Sequence, residues 1–148
     1  MTRFGIEEEF LFLDVHSLVP VTLASGTRER ITRLRTGGEV TKEYLTSQIE
    51  SLTEPVSTAA DAEAQLRHLR GLVGWHAQEQ QAIAAGTGTP FATTRSSAVS
   101  PSPHYDDVSA QLGHLTRDHE VNGLHVHVEV VDNEERVRAL YRARGWLP

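Results

Sequence analysis

The chain has 148 residues, no cysteine and a formal net charge of −6. A length of that order supports one domain burying roughly 70% of its unfolded surface, and the missing cysteine excludes disulfides, zinc–thiolate sites and thiol nucleophiles. The acidic balance argues against a nucleic-acid partner bound through its phosphates, no apolar run nears the roughly 20 residues of a membrane helix, and no signal peptide follows Met1, so the expectation is a cytoplasmic protein.

Phe4 to Asp14 (FGIEEEFLFLD) predicts a strand. Phe4, Ile6, Phe10 and Phe12 alternate onto one face with Glu8; Gly5, Glu7, Glu9, Leu11 and Leu13 take the other. Three consecutive glutamates in an otherwise apolar strand need a reason, because Glu is disfavoured there. Val15 to Gly38 predicts loops around a short helix, Thr27 to Arg35. Glu39 to Pro55 reads as a second extended segment that Pro55 stops.

Ser57 to Ala85 predicts the longest helix, capped by Ser57 or Thr58, striped by Leu66, Leu69, Leu72, Val73 and Ile83, and ended by Gly86. Gly71 and Gly74 weaken its middle by about 1 kcal/mol each relative to alanine. Thr87 to Pro103 is a long loop rich in Gly, Ser, Thr and Pro, and loops that long in a compact domain are functional or mobile. Tyr105 to Asp118 reads as a helix. Asn122 to Val131 alternates cleanly, with Leu124, Val126 and Val128 opposite His125, His127 and Glu129. Asp132 or Asn133 caps a last helix, Glu134 to Arg144. This order predicts an α+β domain: an antiparallel sheet with helices packed on one face and a site on the other.

Glu7 and Glu9 share a strand face about 7 Å apart, a spacing at which two carboxylates hold one divalent ion or two ions bridged by a phosphate. A bare Glu-x-Glu is commonly a solvated acidic face, but apolar neighbours on both sides suggest burial, which is costly for carboxylates without a cation. Glu43 and Glu50 are single acidic residues of the second extended segment, Glu50 lying between Ile49 and Leu52. His125 and His127 share a strand face with Glu129; such a pair can chelate a metal or donate to a phosphate. Gly86 to Pro90 lacks the lysine and spacing of a P-loop, and neither Gly-x-Gly-x-x-Gly nor Gly-x-Ser-x-Gly occurs.

Taken in order, these segments resemble the bacterial carboxylate–amine ligases, the type 2 glutamate–cysteine ligase family. Phe4-Gly5-Ile6-Glu7-Glu8-Glu9-Phe10 resembles its opening strand, and Gln48-Ile49-Glu50 with Thr53-Glu54-Pro55 its second acidic segment. Ala85-Gly86-Thr87 to Pro90-Phe91-Ala92 is similar to its Gly-Thr-His-Pro-Phe loop, and Gly123-Leu124-His125-Val126-His127-Val128 to its Gly-(Leu/Gln)-His-Val-His-Val-Gly strand. Arg136-Val137-Arg138 to Trp146-Leu147-Pro148 resembles the helix that follows. Three departures stand out. Gly88-Thr89 occupies the stretch of the loop histidine, Glu129 replaces the glycine after His-Val-His-Val, and His104-Tyr105 stands for Arg-Tyr.

The resemblance implies part of a glutamine-synthetase-like catalytic fold, whose concave sheet face holds ATP and metal ions. It implies joining of a carboxylate to an amine through an acyl phosphate, with ADP and phosphate released: L-glutamate with L-cysteine, or another amine. It implies Glu7, Glu9 and Glu50 as ligands of Mg²⁺ or Mn²⁺, with Glu43 a further candidate. His125 is implied beside the transferred phosphoryl group or a metal, and His127 lining the same site. Residues 1–148 would then be the N-terminal part of the catalytic domain, with the C-terminal part and its Glu-x-Arg pair absent and activity weak or lacking.

Two other readings stay open. One is a metal-binding, metallohydrolase-like domain built on His125, His127 and a glutamate. The other is a non-catalytic remnant whose open sheet edge invites self-association or a complementing C-terminal half.

Overall fold

The computed structural model describes residues 2–34, 37–93, 98–116 and 120–147. The opening strand, β1 (Phe4–Asp14), is the centre of one antiparallel sheet. At 11 residues it is about twice the usual strand length, so one edge serves two partners. Phe4 to Glu8 pairs with β5 (Leu124–Val128), and Leu11 to Asp14 pairs with β4 (Ala82–Ala85). Its other edge pairs with β3 (Gln48–Leu52), which continues to β2 (Glu39–Lys42).

Period-two alternation gives each sheet face its character. On one face Phe10, Phe12, Val40, Ile49 and Ala82 pack with Leu69, Val73 and Ala77 of α2 (Ala59–Gln78). Ile31 of α1 (Thr27–Arg33) completes that core. The middle glutamate, Glu8, falls on this face and is buried. Its carboxylate accepts two 2.8 Å bonds from the Arg70 guanidinium on α2, the partner a carboxylate needs there. Its two neighbours, Glu7 and Glu9, therefore face the other way.

Two expectations are corrected. Glu39 to Pro55 is not one extended segment but the β2–β3 hairpin, joined through residues 43–47 without a Gly, Asn or Pro turn signal. The helix does not reach Ala85. It begins after Thr58, whose hydroxyl accepts from the Asp61 N–H, and ends at Gln78. Gln81 then takes a left-handed φ of 55°, and Ala82–Ala85 turns back as β4. Ile83 thus belongs to a strand, and Gly86 follows a strand instead of ending a helix.

The remaining elements lie close to expectation. α3 (Pro103–Leu112) is followed by a 3₁₀ turn, Gly113–Thr116. Asp118, Arg35 and positions 94–97 of the long loop lie outside the described residues. In α4 (Asn133–Ala143) the Asp132 carboxylate caps the helix by accepting from the Glu135 N–H at 2.9 Å. α1 and α2 form the helix layer, α3 crosses the opposite face, and α4 buries none of its described side chains.

Candidate active site

Strand register assembles the site. β1 aligns Glu7 with His125 and Gly5 with His127 across β5, and Glu9 with Glu50 across β3. All these side chains emerge from the face opposite α2. Among the described residues two groups result, each with one ligand atom per residue within 4.8 Å of the others: Glu7, His125 and His127; and Glu9, Glu50 and His125. His125 belongs to both. His127 Nε2 lies 2.8 Å from Glu7 Oε2, and His125 Nδ1 lies 3.3 Å from the same oxygen.

Glu9 is held by backbone. Its carboxylate accepts from the Gly123 N–H at 2.9 Å, and its own N–H donates to the Gly123 carbonyl at 3.1 Å. A Cβ at position 123 would stand 3.0 Å from His125 Nε2 and 3.2 Å from Glu9 Oε1, so only glycine fits without displacing both. Glu50 accepts from the Thr41 hydroxyl at 3.3 Å. Burial holds its carboxyl above the usual carboxylate range, and the charges of Glu7, Glu43 and Glu9 push the same way.

Glu43 stands apart from both groups. Its carboxylate accepts from the Tyr44 N–H at 2.7 Å and the Tyr105 hydroxyl at 3.1 Å. Burial first, and then the Glu43 charge, push the Tyr105 hydroxyl up to about 12, which keeps it a neutral donor at physiological pH. Glu129, expected on the site face, is engaged by Arg3 through two bonds of 3.0 and 2.7 Å.

Cavities flank the row on both sides. The larger, about 740 Å³, lies between Glu9, His125 and α3, with Val108, Leu112 and Val121 as an apolar wall. Among the described residues its lining contains no lysine or arginine. The smaller, about 330 Å³, lies beside Glu7 and His127 and reaches Arg3 and Glu129. The donor set fits a hard divalent ion: Glu9 and Glu50 offer carboxylate oxygens, and the half-buried Glu50 carboxyl has Glu7, Glu43 and Glu9 as like-charged neighbours.

Several supporting residues escaped sequence reasoning. Gln48 donates to the Val121 carbonyl at 2.7 Å and to Asn122 Oδ1 at 2.9 Å, fixing the lead-in to β5. The Asn122 N–H donates to the Gly88 carbonyl at 3.0 Å, which ties the Gly86–Pro90 loop to the site. Near the far end of the long loop, Thr87 to Pro103, the Thr46 N–H donates to the Ala98 carbonyl and the Ser100 N–H to the Tyr44 carbonyl. No local signal marks these residues, since their partners are 34 or more positions away in the chain.

The carboxylate–histidine row thus lies on the sheet face opposite α2. The class of protein is specified by comparison. Residues 3–148 match the family model described as glutamate-cysteine ligase family 2, and the chain belongs to that family. A Mycobacterium sp. (strain KMS) protein named "Putative glutamate--cysteine ligase 2-2" is 32% identical over 97% of this chain and 39% of its own length. A Saccharopolyspora erythraea protein named "Putative glutamate--cysteine ligase 2-1" is 35% identical over 97% of this chain and 38% of its own. The chain thus spans about 39% of the length of the curated relatives it matches.

The fold is shared with solved structures. A bifunctional glutathione synthetase from Pasteurella multocida superposes with a TM-score of 0.66 at 16% identity, over 95% of this chain and 18% of that one. A glutamate–cysteine ligase from Francisella tularensis, in complex with AMP, superposes with a TM-score of 0.62 at 14% identity, over 97% and 30%.

Proposed function

We propose that this chain carries the ion- and nucleotide-holding part of an ATP-dependent carboxylate–amine ligase that joins L-glutamate to L-cysteine, releasing ADP and phosphate. The observation that carries this reading is the convergence of Glu7, Glu9, Glu50 and His125 on one sheet face, in a chain of this family. Glu9, Glu50 and His125 would hold Mg²⁺ or Mn²⁺, with Glu7 beside them. Such an ion, when bound, offsets the repulsion between a carboxylate and the γ-phosphate it attacks.

The chain's own residues prepare that encounter. Gly123 fixes the Glu9 carboxylate through its N–H, so the ligand needs no rearrangement on binding. His127 sits against Glu7 and limits its orientation. Val108, Leu112 and Val121 wall the larger cavity with apolar surface, which would keep water from an acyl phosphate awaiting the amine. Residues 1–148 would be the N-terminal part of the catalytic domain, with further strands supplied by sequence equivalent to the rest of the relatives' length.

The test is ADP release with ATP, Mg²⁺, L-glutamate and L-cysteine. It is measured for this chain alone and for the chain mixed with the remaining portion of the mycobacterial relative. Turnover that needs both amino acids and is lost in Glu9→Gln is expected from the mixture. ADP release indifferent to either amino acid would overturn the ligase assignment.

A further inference from the structure

We propose that helix α4 of one chain docks into a groove between α2 and β5 of a second copy, the two chains exchanging α4 about a two-fold axis. The groove has an apolar floor. Across β1 and β5, Phe4 pairs with Val128, Ile6 with Val126 and Glu8 with Leu124. Residues paired in this way share a sheet face, here the face that carries α2. Ala59, Ala62 and Leu66 of α2 form the wall, and the cavity they make with Phe4 and Ile6 measures about 430 Å³. Leu124, Val126 and Val128 each remain more than half exposed on the same face.

The chain carries an element of matching chemistry. Val137, Leu140 and Tyr141 of α4 are all more than half exposed, at the i, i+3, i+4 spacing by which a helix anchors in an apolar groove. Lengths match as well: the 11 residues of α4 extend about 16 Å and the 5 residues of β5 about 17 Å. Charge decides whose α4 it is. Glu63 and Arg67 border the groove, paired at 2.7 Å, and Glu134 and Arg138 flank the stripe, paired at 3.7 Å. In both helices the acid stands four residues before the base. β3 and β4 run antiparallel to β1, so α2, which joins them, runs with β1. β5 is also antiparallel to β1. A chain's own α4 folded back over β5 would therefore lie parallel to α2, setting Glu134 beside Glu63 and Arg138 beside Arg67. An α4 from a second copy can lie antiparallel, which sets Glu134 beside Arg67 and Arg138 beside Glu63. Such rim pairs choose the orientation more than they add affinity. The apolar contact, made twice in a two-fold dimer, supplies the affinity. This groove lies across the sheet from Glu9 and His125, so it does not depend on the ligase reading.

Because the chain has no cysteine, disulfide trapping reads the contact directly. Whole chains bearing Leu140→Cys and whole chains bearing Val126→Cys are mixed and oxidised, and the mixed disulfide should exceed either homodimer. With both substitutions in one chain, the disulfides should link different chains, in a yield that falls on dilution. Sedimentation supplies the second readout. Leu140→Lys should weaken the dimer at least about tenfold. Arg67→Glu and Glu134→Lys should each weaken it about threefold per contact, hence roughly tenfold over two contacts, and the two together should restore it. Circular dichroism checks that every variant folds. The proposal is refuted if the chain is monomeric at all concentrations, if the doubly substituted chain closes its disulfide internally at every dilution, or if a dimer forms that ignores Leu140→Lys. A dimer strengthened by Arg67→Glu alone would refute the antiparallel seat.

Discussion

Gly123 and Glu50 are the site residues on which neighbours press from several sides. In Gly123→Ala the new methyl would press on His125 Nε2 and Glu9 Oε1 together. Mn²⁺ affinity should fall about tenfold or more while the melting temperature changes little, as calorimetry and thermal melts would show. Glu50 is an acid raised on folding, through burial and three neighbouring carboxylates. Its ionisation therefore opposes the folded state, and the penalty appears as pH rises from the ordinary carboxylate value through the folded one. In chelator at neutral pH, Glu50→Gln should melt higher than the wild type; below the carboxylate range the two should coincide. Added Mn²⁺ should reverse the neutral-pH order. A lower melting temperature for Glu50→Gln in chelator would contradict this reading.

At the scale of elements, α2 offers the clearest tests. Arg70→Met leaves the buried Glu8 carboxylate without its counter-ion and should lower unfolding free energy by about 3 kcal/mol. Glu8→Leu in that background should recover much of the loss, and urea denaturation reads both. Gly71→Ala meets nothing within 4 Å and should stabilise the helix by about 1 kcal/mol. The same elements show what sequence can and cannot reveal. The split of Glu8 from Glu7 and Glu9 follows from alternation, because the apolar residues of β1 fix which face is buried. β4 was hidden because alanines favour a helix and the reversal rests on Gln81 at positive φ, a residue type that gives no such signal. The β2–β3 hairpin was hidden for the same reason: its connection carries no turn residue. Which glutamate meets which histidine is a matter of register between strands some 118 positions apart, and no local pattern encodes it.

For the whole molecule, the sheet is covered unevenly. α2 shields β1, β3 and β4, but Leu124, Val126 and Val128 of β5 are each more than half exposed. Val137, Leu140 and Tyr141 make an exposed stripe on α4 at helical spacing, and Trp146 is 91% exposed. Exposed apolar side chains beside an open edge strand favour association. Sedimentation should show mass rising with concentration, and Val126→Lys should reduce it without altering Mn²⁺ binding, since Val126 faces away from His125. A monomer over the whole range would contradict this expectation. The family was legible from ordered motifs, whereas the layout of the site was not. The sheet face formed by Glu7, Glu9, Glu50 and His125 is the proposed seat of ion-dependent nucleotide binding. Equilibrium dialysis of ATP against the chain, with and without Mn²⁺, tests that most directly. Retention only with Mn²⁺, lost in the Glu9→Gln/Glu50→Gln double variant, is the expected result. Retention that ignores Mn²⁺ or survives the double substitution would contradict it.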